Sequence, residues 1–364
     1  MVNNEFGKLK SCIVGNELNF SKKLIDFTFK VTYNSNLKFN LNNIYDTSME
    51  YIEINQELIE ERIDDLNNLQ KVLEENGVKV IRPNTYTKPE LFEYNASLKN
   101  TTHMHSPASN VRDLVLTYKD LVIETSNFVI NRIGENELFL PQVKEAHPNY
   151  KYINIASKIE VDKIDIDPWE KVQERLTPKY FKKYNPYIDA ANIVKINNDL
   201  LCNIGSVNQY LGFLELKKEL LKWYPDINIH EMYIADSHID GTLMPLKEGV
   251  FLVNEQFLNT NYIKNGLPEK FKNWEIIYAQ DQYVEDKKYW DLVSKSEIAL
   301  ASSRGMDINV LSLDRNRVLI QEDAVRTAEL LYKNKFEPVP IRFRHGEIFA
   351  GGIHCSTLDL ERED

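Results

Sequence analysis

Asp189-Ala190-Ala191-Asn192-Ile193-Val194-Lys195-Ile196-Asn197-Asn198-Asp199-Leu200-Leu201-Cys202-Asn203-Ile204 is the stretch from which the organisation of this chain is read. Two apolar runs of strand length flank the polar turn Asn197-Asn198-Asp199, which is hairpin chemistry. Downstream, Leu214-Glu215-Leu216-Lys217-Lys218-Glu219-Leu220-Leu221 places its apolar positions at helical spacing. Ile227, Ile229 and the run Met232 to Ile234 then predict a returning strand. Residues 189–234 therefore read as strand, tight turn, strand, helix, strand.

The outline recurs. Residues 238–279 give Gly241–Leu246, a Lys-Glu-Gly turn, Val250-Phe251-Leu252-Val253, a helical stretch and Glu275-Ile276-Ile277-Tyr278. Residues 307–342 give Asn309–Leu313, the turn Asp314-Arg315-Asn316, Val318-Leu319-Ile320, a helix near 322–333 and Val339–Ile341. Another copy begins with Asp113–Thr117, a Tyr-Lys-Asp turn and Leu121–Glu124. The N-terminal part has a strand at Leu9–Val14 and a helix whose core face includes Ile59, Ile63, Leu66, Leu69 and Leu73. Gly77 stops that helix, and the strand Val78–Ile81 ends at Pro83. Five units of one plan imply an array that buries its faces between neighbours. An ordinary α/β domain with hairpins is the alternative. Two segments break the plan: the asparagine-rich 33–47, read as a lid or a disordered insertion, and 158–186, read as an irregular connection with a short helix.

At 364 residues the chain has room for one large domain or two to three ordinary ones. A hydrophobic fraction of 43% is ample for a core. No apolar run reaches the roughly 18 residues of a membrane span. The start lacks the basic and apolar regions of a secretory signal. Cys12, Cys202 and Cys355 are too few and too scattered for a disulfide framework, which fits a reducing, cytoplasmic setting. A net charge of −11 argues against nucleic acid and anionic membranes as partners and is compatible with a cationic substrate. There is no dinucleotide or P-loop glycine signature and no zinc-type spacing.

Cys355 follows Gly351-Gly352-Ile353-His354, and glycines allow close approach by a substrate or another backbone. A thiol with a distant histidine and acid is the minimum set for covalent thiol catalysis. Cys12 and Cys202 lie in apolar strands and read as structural. His238 enters a strand with Asp240 two positions on, so in an extended segment both face one side. His354 would then face away from Cys355. His103 and His105 have metal-compatible spacing without a third ligand. Asp113, Asp189 and the His238/Asp240 pair each stand at the start of a strand in their own unit. Units arranged about an axis would bring those starts together.

Arg112-Asp113, Asp189-Ala190-Ala191-Asn192, His238-Ile239-Asp240-Gly241-Thr242 and Gly351-Gly352-Ile353-His354-Cys355 together resemble the amidinotransferases. That group includes glycine amidinotransferase and the inosamine-phosphate and cyanotoxin-pathway enzymes. Asn4-Glu5-Phe6-Gly7-Lys8-Leu9 to Val14-Gly15 is similar to that family's first strand, and the resemblance runs over nearly the whole chain in family order. It implies a single α/β domain over 1–364: a five-bladed α/β propeller, the pentein fold, of pseudo-fivefold ββαβ repeats around a central site. It implies Cys355 as nucleophile, His238 as general acid/base and Asp189 as the acid that orients it. Asp113 and Asp240 match acids that grip a guanidinium, with Arg112 in the same substrate-binding motif. Ser302 and Ser303 resemble a serine pair lining the pocket.

The implied reaction transfers an amidino group from arginine, or another guanidine, to an amine acceptor, through an amidino-cysteine and with ping-pong kinetics. No cofactor and no metal are implied, the partners are small molecules, and a homodimer is compatible with the reading. Ser237 stands where glycine-specific members carry a bulky residue, which suggests an acceptor larger than glycine. Phe257 falls about where the family's arginine holds the donor carboxylate, with Arg304 as a candidate substitute, and Asn192 replaces a frequent acid. The competing reading is a guanidine-modifying hydrolase of the same superfamily, like arginine deiminase or the dihydrolases, in which water resolves the intermediate. A third reading, a non-catalytic binding protein on the same fold, predicts a lost cysteine or histidine, and both are present.

Overall fold

The computed structural model describes residues 1–17, 22–25, 50–85, 108–129, 132, 134–157, 160–235, 238–255, 263, 265–279, 307–346 and 348–364. The 33–47 segment, His103, His105, Ser237, Phe257, Ser302, Ser303 and Arg304 lie outside the described residues.

The strands are β1 (Lys8–Val14), β2 (Lys22–Ile25), β3 (Glu50–Glu53), β4 (Lys79–Ile81), β5 (Val115–Tyr118), β6 (Leu121–Glu124), β7 (Lys151–Asn154), β8 (Ile193–Ile196), β9 (Asp199–Asn203), β10 (Asn228–Met232), β11 (Leu243–Lys247), β12 (Val250–Asn254), β13 (Glu275–Ala279), β14 (Leu311–Ser312), β15 (Arg317–Gln321), β16 (Glu337–Ile341) and β17 (Thr357–Glu363). Among the described residues they form five three-stranded sheets of one plan and a two-stranded ribbon, β2-β3. In each of the five, an antiparallel pair is joined by a parallel third strand: β5-β6-β7, β8-β9-β10, β11-β12-β13, β14-β15-β16 and β17-β1-β4.

The local chemistry explains the plan. Lys119, Asn197 and Gly249 take left-handed backbone angles at the turns of three successive hairpins, the conformation that tight primed turns require. Middle strands β9 and β12 are buried at every position, as strands covered on both faces should be. Pro245, Pro338 and Pro340 stand on outer strands β11 and β16, where a missing donor costs least.

Helices follow the second strand of the units. They include α1 (Gln56–Glu75), α2 (Leu140–Ala146), α3 (Val207–Trp223) and α4 (Val325–Lys333). Asn55 caps α1 by accepting from the Glu57 amide, and Ser206 caps α3 by accepting from that of Gln209. Gly77, at φ +77°, follows the end of α1 as expected. The buried face of α1 differs from the apolar expectation: Arg62 and Asp65 are buried while Ile63 is half-buried.

Apolar clusters connect each sheet to the next. Leu116 and Ile123 pack with Ile193 and Leu200, and Val194 and Leu201 with Leu252 and Val318. Leu311 and Leu319 pack with Leu9 and Cys12, and Ile13 and Leu358 with Val115 and Val122. The last sheet thus meets the first, and the chain's own ends share a sheet, with Lys8 opposite Glu363. The result is a mixed α/β fold. No helix among the described residues is long and apolar enough to cross a membrane.

Candidate active site

Each chemistry-bearing segment sits on a short turn just before the first strand of its sheet. One-turn 3-10 helices cover Val111–Asp113, Ala190–Asn192 and Ile239–Gly241, and another turn around Cys355 leads into β17. These turns pack on one another. Asp189 and His238 are the last extended residues before their turns. The expectation of one extended segment carrying His238 and Asp240 is therefore corrected in its backbone, which turns between them, while both side chains still reach the Cys355 thiol.

His238 lies between two acids. Its Nε2 is 3.1 Å from Asp189 Oδ2 and its Nδ1 is 3.5 Å from Asp113 Oδ1. Asp189 is itself held by the Phe128 amide, which donates to Oδ1 at 3.2 Å. The ring keeps 28% of its exposure, so a small molecule can reach it. Burial alone would lower the histidine's pKa, but Asp113, Asp189 and a side-chain hydrogen bond with Cys355 outweigh it and hold the pKa well above its ordinary value.

Cys355 is almost fully buried. Asn309 Nδ2 donates to its Sγ at 3.1 Å, the Cys355 amide donates to Asn309 Oδ1 at 3.1 Å, and the thiol donates to Asp240 Oδ2 at 3.3 Å. Burial first, then the charge of Asp240, push the thiol up to about 12, against a smaller opposing pull from His238. Cys12 and Cys202 are also buried, with thiols pushed up chiefly by burial. The glycines matter through close approach. A Cβ on Gly351 would lie 2.1 Å from Asn110 Oδ1, and one on Gly352 2.6 Å from Asn309 Oδ1.

Two carboxylates each keep one oxygen that accepts no hydrogen bond. Asp113 Oδ2 is taken by Arg132, which also pairs with Glu135 at 3.0 Å. Asp240 Oδ2 lies 2.8 Å from His354 Nδ1. Asp113 Oδ1 and Asp240 Oδ1 are buried without a hydrogen-bond partner. Burial raises the Asp113 pKa, with His238 and Arg132 opposing. Burial would raise Asp240 too, but His354, then His238 and Arg112, bring it down to about 2. A site with open anionic oxygens beside a thiol and a histidine suits a planar cation with several N–H donors.

Arg112, expected beside the substrate, is engaged elsewhere. Its guanidinium donates to Asp359 at 2.8 Å and to the His354 carbonyl at 2.9 Å, and it pairs with Glu5 at 3.5 Å. Its amide donates to the Cys355 carbonyl. It braces the cysteine turn from below. Asn309 and His354 were not singled out by sequence reasoning as site residues. Asn309 had a usable signal: it stands ahead of the fourth unit's first strand, where the other units carry their acids. Arg132 and Glu135 had none.

No family model matches the chain. The L-arginine:L-lysine amidinotransferase of Pseudomonas savastanoi pv. phaseolicola is 27% identical over 312 residues, 83% of this chain and 80% of that protein. The solved inosamine-phosphate amidinotransferase of Streptomyces griseus superposes with a TM-score of 0.76 at 22% identity, covering 100% of this chain and 97% of the other. A hydrolase, DDAH from Pseudomonas aeruginosa, superposes with a TM-score of 0.54 at 12% identity, covering 97% and 100%. The mixed α/β architecture is the one those structures share.

Proposed function

We propose that this chain, a homologue of the amidinotransferases, moves an amidino group from arginine, or another guanidine, to an amine larger than glycine. The observation that carries the reading is a pair of buried carboxylate oxygens that accept no hydrogen bond, Asp240 Oδ1 and Asp113 Oδ1, the latter facing only His238 Nδ1 at 3.5 Å, beside Cys355. A buried acceptor without a donor is costly unless a ligand supplies one. The guanidinium supplies several N–H groups in one plane.

The same reading takes the five like sheets, each packed on the next and the last on the first, as the blades of a five-bladed α/β propeller within one domain over 1–364. The turns ahead of the first strands would then ring its axis. The three free, buried cysteines suit a cytoplasmic enzyme.

The chemistry proceeds from the charge balance. A guanidinium bound by Asp113 and Asp240 brings positive charge beside the sulfur. The thiol proton then leaves to solvent at far lower cost. The thiolate attacks the guanidinium carbon to give a tetrahedral adduct. The bond to the departing amine breaks as His238, protonated in the resting site, supplies the proton. An amidino-Cys355 cation remains, still facing the two carboxylates. The incoming amine gives a proton to the now neutral His238 and attacks the same carbon. The C–S bond breaks, the guanidinylated amine leaves, and the thiolate takes back from solvent the proton it lost. Asp189 keeps His238 aligned and favours its charged form.

Arginine is favoured as donor, and an amine such as lysine as acceptor, by the name of the Pseudomonas relative. The test is incubation with arginine and a panel of amines, following ornithine and citrulline by mass spectrometry. Ornithine with a guanidinylated amine supports transfer. Citrulline without a guanidinylated amine sinks it in favour of hydrolysis. A Cys355→Ala protein with full activity removes the mechanism altogether.

A further inference from the structure

We propose that His354 is a positioning residue for this site: by holding Oδ2 of Asp240, it sets Oδ1 open toward the substrate's guanidinium. The inference rests on the proposed guanidine chemistry and deepens it.

His354 is 1% exposed and is fixed on every polar atom. Its amide donates to the Asn309 carbonyl at 3.2 Å, and its own carbonyl accepts from Arg112 Nε at 2.9 Å. Ring Nδ1 is 2.8 Å from Asp240 Oδ2, and ring Nε2 is 3.5 Å from Glu5 Oε2. Glu5 is anchored in turn by Lys195 at 3.1 Å and Arg112 at 3.5 Å. The imidazole is thus clamped between a carboxylate that belongs to the site and a carboxylate that belongs to the buried ionic cluster beneath it.

The consequence for Asp240 is geometric. Its Oδ2 meets both the His354 ring and the Cys355 thiol, and the ring makes the shorter contact. With Oδ2 held, Oδ1 has one orientation, and that oxygen is the one without a partner. Without the ring, Oδ2 keeps only the weak S–H donor, and the carboxylate is free to turn. A turned carboxylate meets the guanidinium with the wrong oxygen or with neither. His354 touches neither substrate nor sulfur in this arrangement, so its role is exerted through Asp240.

The two ring nitrogens make the proposal separable from simple core packing. An asparagine places its amide nitrogen near the position of Nδ1, and a glutamine places its own near that of Nε2. Only the first preserves the donor to Asp240. The experiment measures the Kd for arginine and for agmatine by calorimetry in a Cys355→Ala background, which blocks turnover, with His354→Asn, His354→Gln and His354→Leu added. Near-ultraviolet circular dichroism confirms which variants are folded.

Loss of a hydrogen bond to a charged group predicts a Kd weakened by about tenfold to a hundredfold for Gln and Leu. His354→Asn stays within roughly threefold, because it keeps that one bond. If Leu fails to fold, the Asn and Gln pair still decides. Equal affinity in Asn and Gln overturns the proposal, as does wild-type affinity in Leu. Failure of Cys355→Ala itself to bind either guanidine overturns the parent reading, and with it this one.

Discussion

Replacing Asp240 with asparagine should make Cys355 react faster with a neutral alkylating agent while abolishing turnover. The two effects point in opposite directions because, in the proposed reaction, Asp240 would serve the substrate at the expense of the free thiolate. Its Oδ2 is 3.3 Å from Sγ. Two unit charges at that distance repel by about 2.5 to 5 kcal/mol for an effective dielectric of roughly 20 to 40. The lower end applies, since His354 shares the charge of Oδ2. About 2.5 kcal/mol is roughly two pKa units, or about a hundredfold more thiolate at a fixed pH below the thiol's pKa. A less basic thiolate is also a poorer nucleophile, with a Brønsted slope of about 0.4–0.5, so the net gain is about tenfold. The assay is pseudo-first-order iodoacetamide labelling at about pH 8, read peptide by peptide by mass spectrometry. Cys12 and Cys202 serve as buried internal controls, and Cys355→Ala as the blank. Labelling of Asp240→Asn at or below the wild-type rate would refute the reasoning, for the acid would then not be what holds the thiol protonated.

Other outcomes follow from the same geometry. Asp189→Asn removes an anion 3.1 Å from His238, so kcat should fall by about 10²- to 10⁴-fold; the histidine's pKa drops, and the alkaline limb of the kcat profile moves to lower pH. Glu5 and Asp240 are both held at about 2, below their unfolded values near 4, so the stability they contribute is complete above about pH 4 and lost as pH falls toward 2. Urea midpoints at pH 7, 5 and 3 should show it, with up to about 3 kcal/mol per group and less than the sum, because the groups share one cluster. Gly212→Ala would place a Cβ 2.3 Å from the Tyr187 carbonyl oxygen, backbone against backbone, and should cost about 1–3 kcal/mol in thermal unfolding with the site chemistry unchanged.

The units were legible because each is written locally. The run Ile193–Ile196, its turn and the strand after it are adjacent in sequence, and the same turn geometry recurs at Lys119, Asn197 and Gly249. The pairing of β1 with β17 was not legible. No strand was expected at Thr357–Glu363, because Lys8 opposite Glu363 is a pairing of chain ends that leaves no local periodicity. On α1, apolar spacing pointed to Ile63 and missed Arg62, whose Nη2 donates to Ser356 Oγ at 2.7 Å. A buried polar residue is invisible to a hydrophobic pattern. The same limit hid the ionic cluster of Glu5, Lys195 and Asp359. The acids Asp113, Asp189 and Asp240 were accessible because their place, at the entrance to a strand, repeats. Asn309 occupies that place with a neutral side chain, and its importance lies in Cys355, a residue forty-six positions away.

The arrangement explains how a thiol pushed up to about 12 could be both inert and catalytic. In the free site, Asp240 and Asp113 raise the cost of the thiolate and, with Asp189, hold His238 in its acid form. In the proposed cycle resting Cys355 would therefore be the thiol and His238 the proton donor. A neutral amide or ester entering the site would change neither balance. In the proposed reaction a guanidinium would change the first balance, pairing with the two acids and cancelling the field that opposed the thiolate, while Asp189 would still favour the charged histidine for the departing amine. Binding and activation would then be one event, and selectivity for a planar cation would come from the cost of the thiolate in its absence. The same acids would still face an amidino-cysteine cation after the first amine leaves, so the intermediate is stabilised by the groups that admitted the donor. On this reading, transfer or hydrolysis would be decided by whether an amine or water occupies the space beside His238 during that interval.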